Sequence, residues 1–252
     1  MSSTRRQWLA AVGVGGAGLL LGGCARADKT QPEKQPEKQA PEEEGEEKGD
    51  DVTATEDLMR EHGVLRRALL VYAAVVPRLR SDPAGVAPDA LQRTAKLFRD
   101  FGEDYHEKKL EETYIFPAVK RAGGTAAALP DVLTAQHARG REITDYVINV
   151  TGGTKLGAAG AGTLAKALET FVLMYEHHAA REDTIIFPAW KQTLNAEQLD
   201  EMGDKFEEIE EQQFGGDGYE DAVRQIGDIE GSLGLADISQ FTAPPPPKVP
   251  GA

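Results

Sequence analysis

The sequence predicts an all-α fold: four helices gathered into a bundle, with one or two extra helices behind them. Three observations predict it. Apolar residues recur at helical spacing from residue 53 to about 235, and no alternating apolar run is long enough for a strand. The stretch His106-Glu107-Lys108-Lys109-Leu110-Glu111-Glu112-Thr113-Tyr114-Ile115-Phe116-Pro117 recurs as His177-His178-Ala179-Ala180-Arg181-Glu182-Asp183-Thr184-Ile185-Ile186-Phe187-Pro188. A fainter repeat precedes each copy, Glu61-His62-Gly63-Val64-Leu65-Arg66 against Gln136-His137-Ala138-Arg139-Gly140-Arg141. Four helices carrying histidine and carboxylate in that order can pack so that imidazoles and carboxylates meet inside. That donor set suits iron or manganese better than zinc or calcium.

The first helix is expected over about 55–80. Thr53 and Glu56 have capping-box spacing, with Thr55 an alternative cap. Leu58, His62, Leu65, Leu69 and Tyr72 share one stripe, and Pro77 bends or closes the helix. Pro88-Asp89 opens the second helix, which carries Leu91, Ala95, Phe98, Gly102, Tyr105 and His106 and ends at Gly123-Gly124. The third starts near Thr125 or Leu129 and ends by Val150, with Val132, Leu133, Gln136, His137, Gly140, Ile143 and Val147 inward. Thr151 to Gly162 reads as a flexible connection. The fourth runs over about 163–192 with Leu168, Phe171, Val172, Tyr175 and His178 inward. Asn195 to Gln198 caps a fifth helix that ends at Gly215-Gly216, and a short sixth lies around 219–231.

The ends of the chain carry different signals. Thr4-Arg5-Arg6-Gln7-Trp8-Leu9 is a twin-arginine pattern, and the apolar run from Ala10 to Leu21 is too short to span a bilayer. It ends in Leu21-Gly22-Gly23-Cys24, which looks like a lipobox. Residues 1–23 then form a signal peptide, and Cys24 carries the lipid. Such a protein faces the periplasmic side of a membrane or the cell surface. Ala25 lacks an acidic retention signal, which favours the outer membrane. Cys24 is the sole cysteine, so no disulfide forms within one chain. Residues 24–52 are an acidic Pro/Glu/Lys tether with almost no apolar side chains. Residues 53–192 form the bundle, 193–235 a helical extension and 236–252 a Pro-rich tail. The formal charge is -14, which argues against nucleic acid and against electrostatic docking on anionic lipid. Removing residues 1–23 deletes Arg5 and Arg6 and no acid, so the remainder stands at -16 (-14 minus 2).

Residues four apart on an α-helix lie about 40° apart around the axis, on one face. His178 and Glu182 meet that condition. His106 and Glu111 are five apart, about 140° on an ideal α-helix. Either the second helix holds a π-bulge between them, or Glu107 takes part instead. Alignment on Ile-Phe-Pro pairs His106 with His177, whereas helical spacing selects His178. Glu112 and Asp183 are candidates to hydrogen-bond ligand imidazoles. Phe116-Pro117 and Phe187-Pro188 read as packing and helix-bending features.

Together these motifs resemble the hemerythrin-like HHE cation-binding domain over about residues 54–192. The resemblance implies an up-down four-helix bundle with a centre of two non-haem iron ions, and manganese is possible. By position, His62, His106, Glu111, His137, His178 and Glu182 would be the metal ligands, with Glu107 and His177 as alternatives. The chain departs from the oxygen-carrying members twice. Arg141 stands where they have a second histidine on the third helix, and His178 is followed by Glu182 at four rather than by Asp at five. Fewer imidazoles and more carboxylates favour ferric iron and shift the expectation from O2 carriage toward sensing, scavenging or redox turnover. The expected small ligand is O2, NO or peroxide. An oxidase or peroxidase activity and a non-catalytic iron-holding or interaction module are the alternatives.

Overall fold

The computed structural model describes residues 52–153 and 156–247. The segments read as a signal peptide and a tether, Cys24 among them, lie outside the described residues, as does the chain from residue 248. All regular structure among the described residues is helical. Helix α1 spans Ala54–Ser81. Helix α2 is continuous in three stretches: α-helical Pro88–Leu97, π-helical Phe98–Ile115 and α-helical Phe116–Ala122. Helix α3 spans Pro130–Val150. Helix α4 is α-helical over Ala158–Arg181, π-helical over Glu182–Ile186 and α-helical again over Phe187–Lys191. Helices α5 and α6 span Ala196–Phe214 and Gly218–Leu233.

The boundaries follow local chemistry. The Thr53 side chain accepts from the Glu56 N–H while the Glu56 side chain reaches back to the Thr53 N–H, which completes a capping box for α1. Asn195 and Gln198 do the same for α5. Gly123 and Gly124 adopt φ of 77° and 74°, where a side chain is disfavoured, and so end α2. Pro77 sits inside α1 four residues before its end. Two expectations change. Helix α4 begins at Ala158 rather than 163, because the Ala/Gly-rich segment extends the helix backward. Val132 is 49% exposed and faces out, because α3 turns Leu133 and His137 inward instead.

Helix α1 packs against α2 and α4, and α3 packs against the same two from the other side, so the four helices close a ring. Short connections between neighbours force the chain to alternate in direction. Helices α5 and α6 lie outside that ring on α1 and α2. At one level of the core, Tyr72, Phe98, Phe171 and Tyr175 interlock with ring centroids 4.6–5.7 Å apart. Each such buried ring contributes roughly 1.5–3 kcal/mol through removal from water. No helix among the described residues is long and apolar enough to cross a membrane.

Two glycines should respond oppositely to alanine. A Cβ at Gly140 would sit 2.0 Å from the Tyr175 hydroxyl, whereas one at Gly63 meets nothing within 4 Å. Gly63→Ala is expected to stabilise by up to about 1 kcal/mol through helix propensity. Gly140→Ala is expected to destabilise by about 1–3 kcal/mol, because Tyr175 cannot retreat from the packed rings. Urea unfolding of both variants measures the contrast.

Candidate metal centre

The π-helical stretches decide which side chains meet. In a helix bonded i→i+5, residues five apart take the relation that residues four apart have in an α-helix. His106 and Glu111 therefore share a face, and His106 Nε2 lies 3.4 Å from Glu111 Oε1. In α4 the π-turn begins at Glu182, so His178 and Glu182 still communicate over α-helical spacing, with Nε2 and Oε1 3.0 Å apart. In both copies the N–H of the motif phenylalanine, Phe116 or Phe187, bonds back to the carbonyl of the motif glutamate, Glu111 or Glu182. The prolines that follow have no N–H to continue the α-pattern. The one-residue mismatch between the two histidines of the repeat thus has a cause: the wide turn from Glu to Phe is common to both copies, and in α2 the wide bonding also spans His106 to Glu111, whereas α4 stays α-helical up to Arg181.

His62, His106, His137, His178, Glu111 and Glu182 are all buried at the centre of the ring. They form two groups that could each hold a cation, one of His62, His106 and Glu111, the other of Glu111, His137, His178 and Glu182. The glutamates face both groups. Glu111 Oε1 points to His106 and Oε2 to His137 Nε2, at 3.4 Å each. Glu182 Oε2 lies 3.6 Å from His62 Nε2, and Oε1 faces His178. Yet His106 Nε2 and all four of these carboxylate oxygens lack a hydrogen-bond partner.

The outer nitrogens are all satisfied. Each imidazole Nδ1 meets an oxygen: His62 with Asp183 (2.7 Å), His106 with Glu61 (2.6 Å), His137 with Glu112 (2.9 Å) and His178 with Gln136 (2.9 Å). When Nδ1–H donates outward, the Nε2 lone pair faces inward, which is the tautomer a metal needs. His137 and His178 turn their Nε2 atoms toward each other at 3.0 Å, a contact that a proton on one ring or a shared metal ion satisfies. Buried imidazoles and carboxylates, each with a free donor atom aimed at a common point, fit a metal.

Charge within the protein alone points the same way. Burial drives the Glu182 carboxyl well above its ordinary range, and the Glu111 charge beside it adds to the shift. Burial pushes Glu111 up as well, but His106 and His137 outweigh it and hold this carboxyl low. Burial and neighbouring His137 pull His178 down to about 4. Burial also pulls His137 down, yet Glu107, Glu111 and Glu112 overcome it and leave this imidazole at about 10. Positive charge is therefore drawn into the cluster.

Of the two alternatives read from the sequence, Glu107 is buried at its edge. It accepts from the Tyr175 hydroxyl at 2.8 Å and lies 4.0 Å from His137 Nδ1, outside both groups. His177 is exposed and contacts Arg181, away from the cluster. Arg141 donates to the Glu103 carbonyl and to Glu107. Phe116 stacks on His137, and Phe187 packs against His62 and His106. The sequence reading assigned no role to three residues: Glu61 and Gln136, each immediately before a histidine, and Glu103, one turn before Glu107. The signal for Glu61 was the faint upstream repeat, and for Gln136 that repeat together with its place on the inward stripe of the third helix.

A buried set of imidazoles and carboxylates inside a ring of four helices defines a cation-binding helix bundle. The hemerythrin HHE cation binding domain matches residues 53–190, and the chain belongs to that family. It is 44% identical over 192 residues to an uncharacterized protein of Mycobacterium bovis, covering 76% of this chain and 74% of that protein. Uncharacterized proteins from two strains of Mycobacterium tuberculosis match to the same extent. No solved structure matches the chain.

Glu103 supplies a pH test. Its carboxyl is fully buried and accepts from Thr144 at 2.5 Å, and burial lifts it from 4.5 to about 7. A carboxyl raised on folding holds its proton longer in the folded state. Its contribution is complete below pH 4.5 and is lost as pH rises to about 7. Between those limits wild type should lose up to about 3 kcal/mol relative to Glu103→Gln. Denaturant unfolding of both proteins across that window reads the difference.

Proposed function

We propose that this chain is a membrane-anchored, non-haem di-iron protein that binds or senses O2, NO or peroxide. The observation that carries the reading is the double-facing placement of Glu111 and Glu182, each with one oxygen toward the His62/His106 side and one toward the His137/His178 side. His62 and His106 would hold one ion and His137 and His178 the other, with both glutamates shared. The mixture of imidazole and carboxylate without thiolate supports iron, with manganese the alternative. Iron ions bound there would supply one-electron redox chemistry and a coordination position for a small ligand.

The rest of the work falls to the chain. Asp183, Glu61, Glu112 and Gln136 fix the imidazoles through their Nδ1 atoms. A cavity of about 10 Å³ lies against His62, His106, Glu111 and Glu182, with Leu65 and Leu69 in its wall. That is room for about one water, which supports ligands of one or two heavy atoms and disfavours bulkier substrates. Tyr175 borders the same cavity, and its hydroxyl donates to Glu107. On the outer side Arg66 pairs with Asp183. Membrane anchoring rests on Leu21-Gly22-Gly23-Cys24.

One observation favours peroxide turnover as a second reading. Glu103 is a buried carboxyl that changes protonation near neutral pH, two turns of α2 from Glu111. It could store a proton close to the centre. Peroxide consumption without loss of iron would distinguish turnover from binding.

Anaerobically reconstituted protein is expected to hold two iron ions per chain. His62→Ala and His137→Ala should each lower that number. A metal present at about 1,000 times its dissociation constant should stabilise by about 4 kcal/mol, removable by chelator. Ferrous protein should develop new absorption bands with O2 and with NO. Melting curves unchanged by chelator, together with no bands and no iron, would overturn the proposal.

A further inference from the structure

The helical extension lies beyond the family's matched residues 53–190, yet it reaches the candidate metal centre through a chain of contacts. Phe214, the last residue of α5, packs edge-on against Tyr105 with ring centroids 5.3 Å apart, and also meets Phe101. The Tyr105 hydroxyl donates to Glu61 Oε1 at 3.0 Å. The other oxygen of the same carboxylate takes His106 Nδ1 at 2.6 Å. Tyr105, Glu61 and His106 are all buried, so no solvent can replace a lost link.

Phe214 is itself held in place. A Cβ at Gly218 would come within 2.2 Å of its ring, so the bare backbone there leaves room for it. Gly215, at φ 72°, reverses the chain directly after it. Glu210 accepts the Tyr219 N–H at 2.6 Å and ties the start of α6 to α5. The Arg60 guanidinium lies over the Tyr219 ring at 4.4 Å, and Arg67 grips Glu230 with two nitrogens. The α5–α6 turn beside Phe214 is thus fastened to α1 through Arg60 and Tyr219, whereas the Arg67–Glu230 pair holds the far end of α6.

We propose that the C-terminal helices are a positioning element for the metal centre, with Phe214 and Tyr105 setting the orientation of Glu61 and, through it, the His106 imidazole. The inference rests on the metal-binding reading for its effect on affinity, but the orientation itself does not. An outer carboxylate that fixes a ligand's tautomer commonly changes metal affinity about 10–100-fold when removed. Glu61 sets one oxygen on the Tyr105 hydroxyl and the other on His106 Nδ1. With the Tyr105 hydroxyl gone, a contact that fixes the carboxylate plane against His106 is lost.

The full-length protein tests this with three variants. Tyr105→Phe removes one hydroxyl and nothing else. Phe214→Leu removes the ring but keeps an apolar side chain. Arg67→Gln breaks the grip on Glu230 without touching the relay. In metal-free protein the hydrogen-bonded His106 Nδ1–H should give a low-field proton resonance by NMR. That signal should broaden or vanish in Tyr105→Phe and Phe214→Leu and persist in Arg67→Gln. Iron affinity, measured by competition with a chelator, should fall about ten-fold in the first two and hold in the third. Phe214→Tyr, which keeps the ring, should behave as wild type. Unchanged signal and affinity in Tyr105→Phe and Phe214→Leu would overturn the proposal, as would an equal loss in Arg67→Gln. A wild type that takes up no iron would count against the di-iron reading, and the NMR comparison would still decide the relay.

Discussion

Two glutamates, Glu111 and Glu182, stand fully buried beside each other with no hydrogen-bond donor on any of their four oxygens, and the surrounding structure is organised around that fact. Taking one ionised carboxylate out of water costs several kcal/mol even after the protein relaxes, and an adjacent like charge adds to it. A proton on Glu182, whose carboxyl is driven well above its ordinary range, relieves that cost, and so does positive charge placed between the two. Every feature nearby serves that end. Four imidazoles are turned so that their Nε2 atoms face the carboxylates, and four oxygens on their Nδ1 atoms hold them in that orientation. Phe116 and Phe187 on one side, with Tyr175 on another, keep water away and so strengthen each electrostatic contact.

The wide helical turns are the backbone's answer to the same demand. An α-helix can offer His and Glu to a common point only at spacings of three or four. Helix α2 presents them at five and needs i→i+5 bonding to do so. The Phe-Pro pair is where that bonding is handed back to an α-helix: the phenylalanine closes the last wide turn, and the proline, lacking a donor, starts the next segment. The same phenylalanines then wall the imidazoles of other helices. A motif that reads as mere packing punctuation therefore joins backbone register, exclusion of water and ligand placement.

Helical period, caps and glycine stops made the six helices legible, because each signal is local. Thr53 with Glu56, Asn195 with Gln198, and Gly123-Gly124 mark boundaries by hydrogen bonds and φ angles that need no tertiary information. The start of α4 was not legible, since Ala and Gly in 158–162 suit either a helix or a linker until packing decides. The cluster of His62, His106, His137, His178, Glu111 and Glu182 was readable because the repeat supplied order and helical spacing supplied faces. The choice of His178 over His177 followed from spacing alone. The oxygens that orient the imidazoles were only half legible. Asp183 and Glu112 lie within the repeated motifs, whereas Glu61 and Gln136 act across helices, and Glu103 belongs to a level of α2 that no motif marks.

Charge balance links the carboxylate-rich composition of the site to its proposed chemistry. When ionised, Glu111, Glu182, Glu61, Glu107, Glu112 and Asp183 place six negative charges on or against the cluster. Arg141, at the position of the missing histidine, lies within 3.6 Å of Glu107 and Glu112, and Arg66 pairs with Asp183. Six carboxylates against two guanidinium groups leave four negative charges, which two divalent cations neutralise. In a buried site neutrality is strongly favoured. A pair of trivalent ions would leave an excess of two positive charges, to be met by an added anion or by proton loss from a bound ligand. Under the di-iron reading, then, oxidation and the capture of a small anionic or reducible ligand are coupled by electrostatics. A second histidine at position 141 would have supplied another neutral donor but not the guanidinium charge that this count includes. The substitution of arginine for a ligand thus sets the charge of the site and leaves its six inward donors intact.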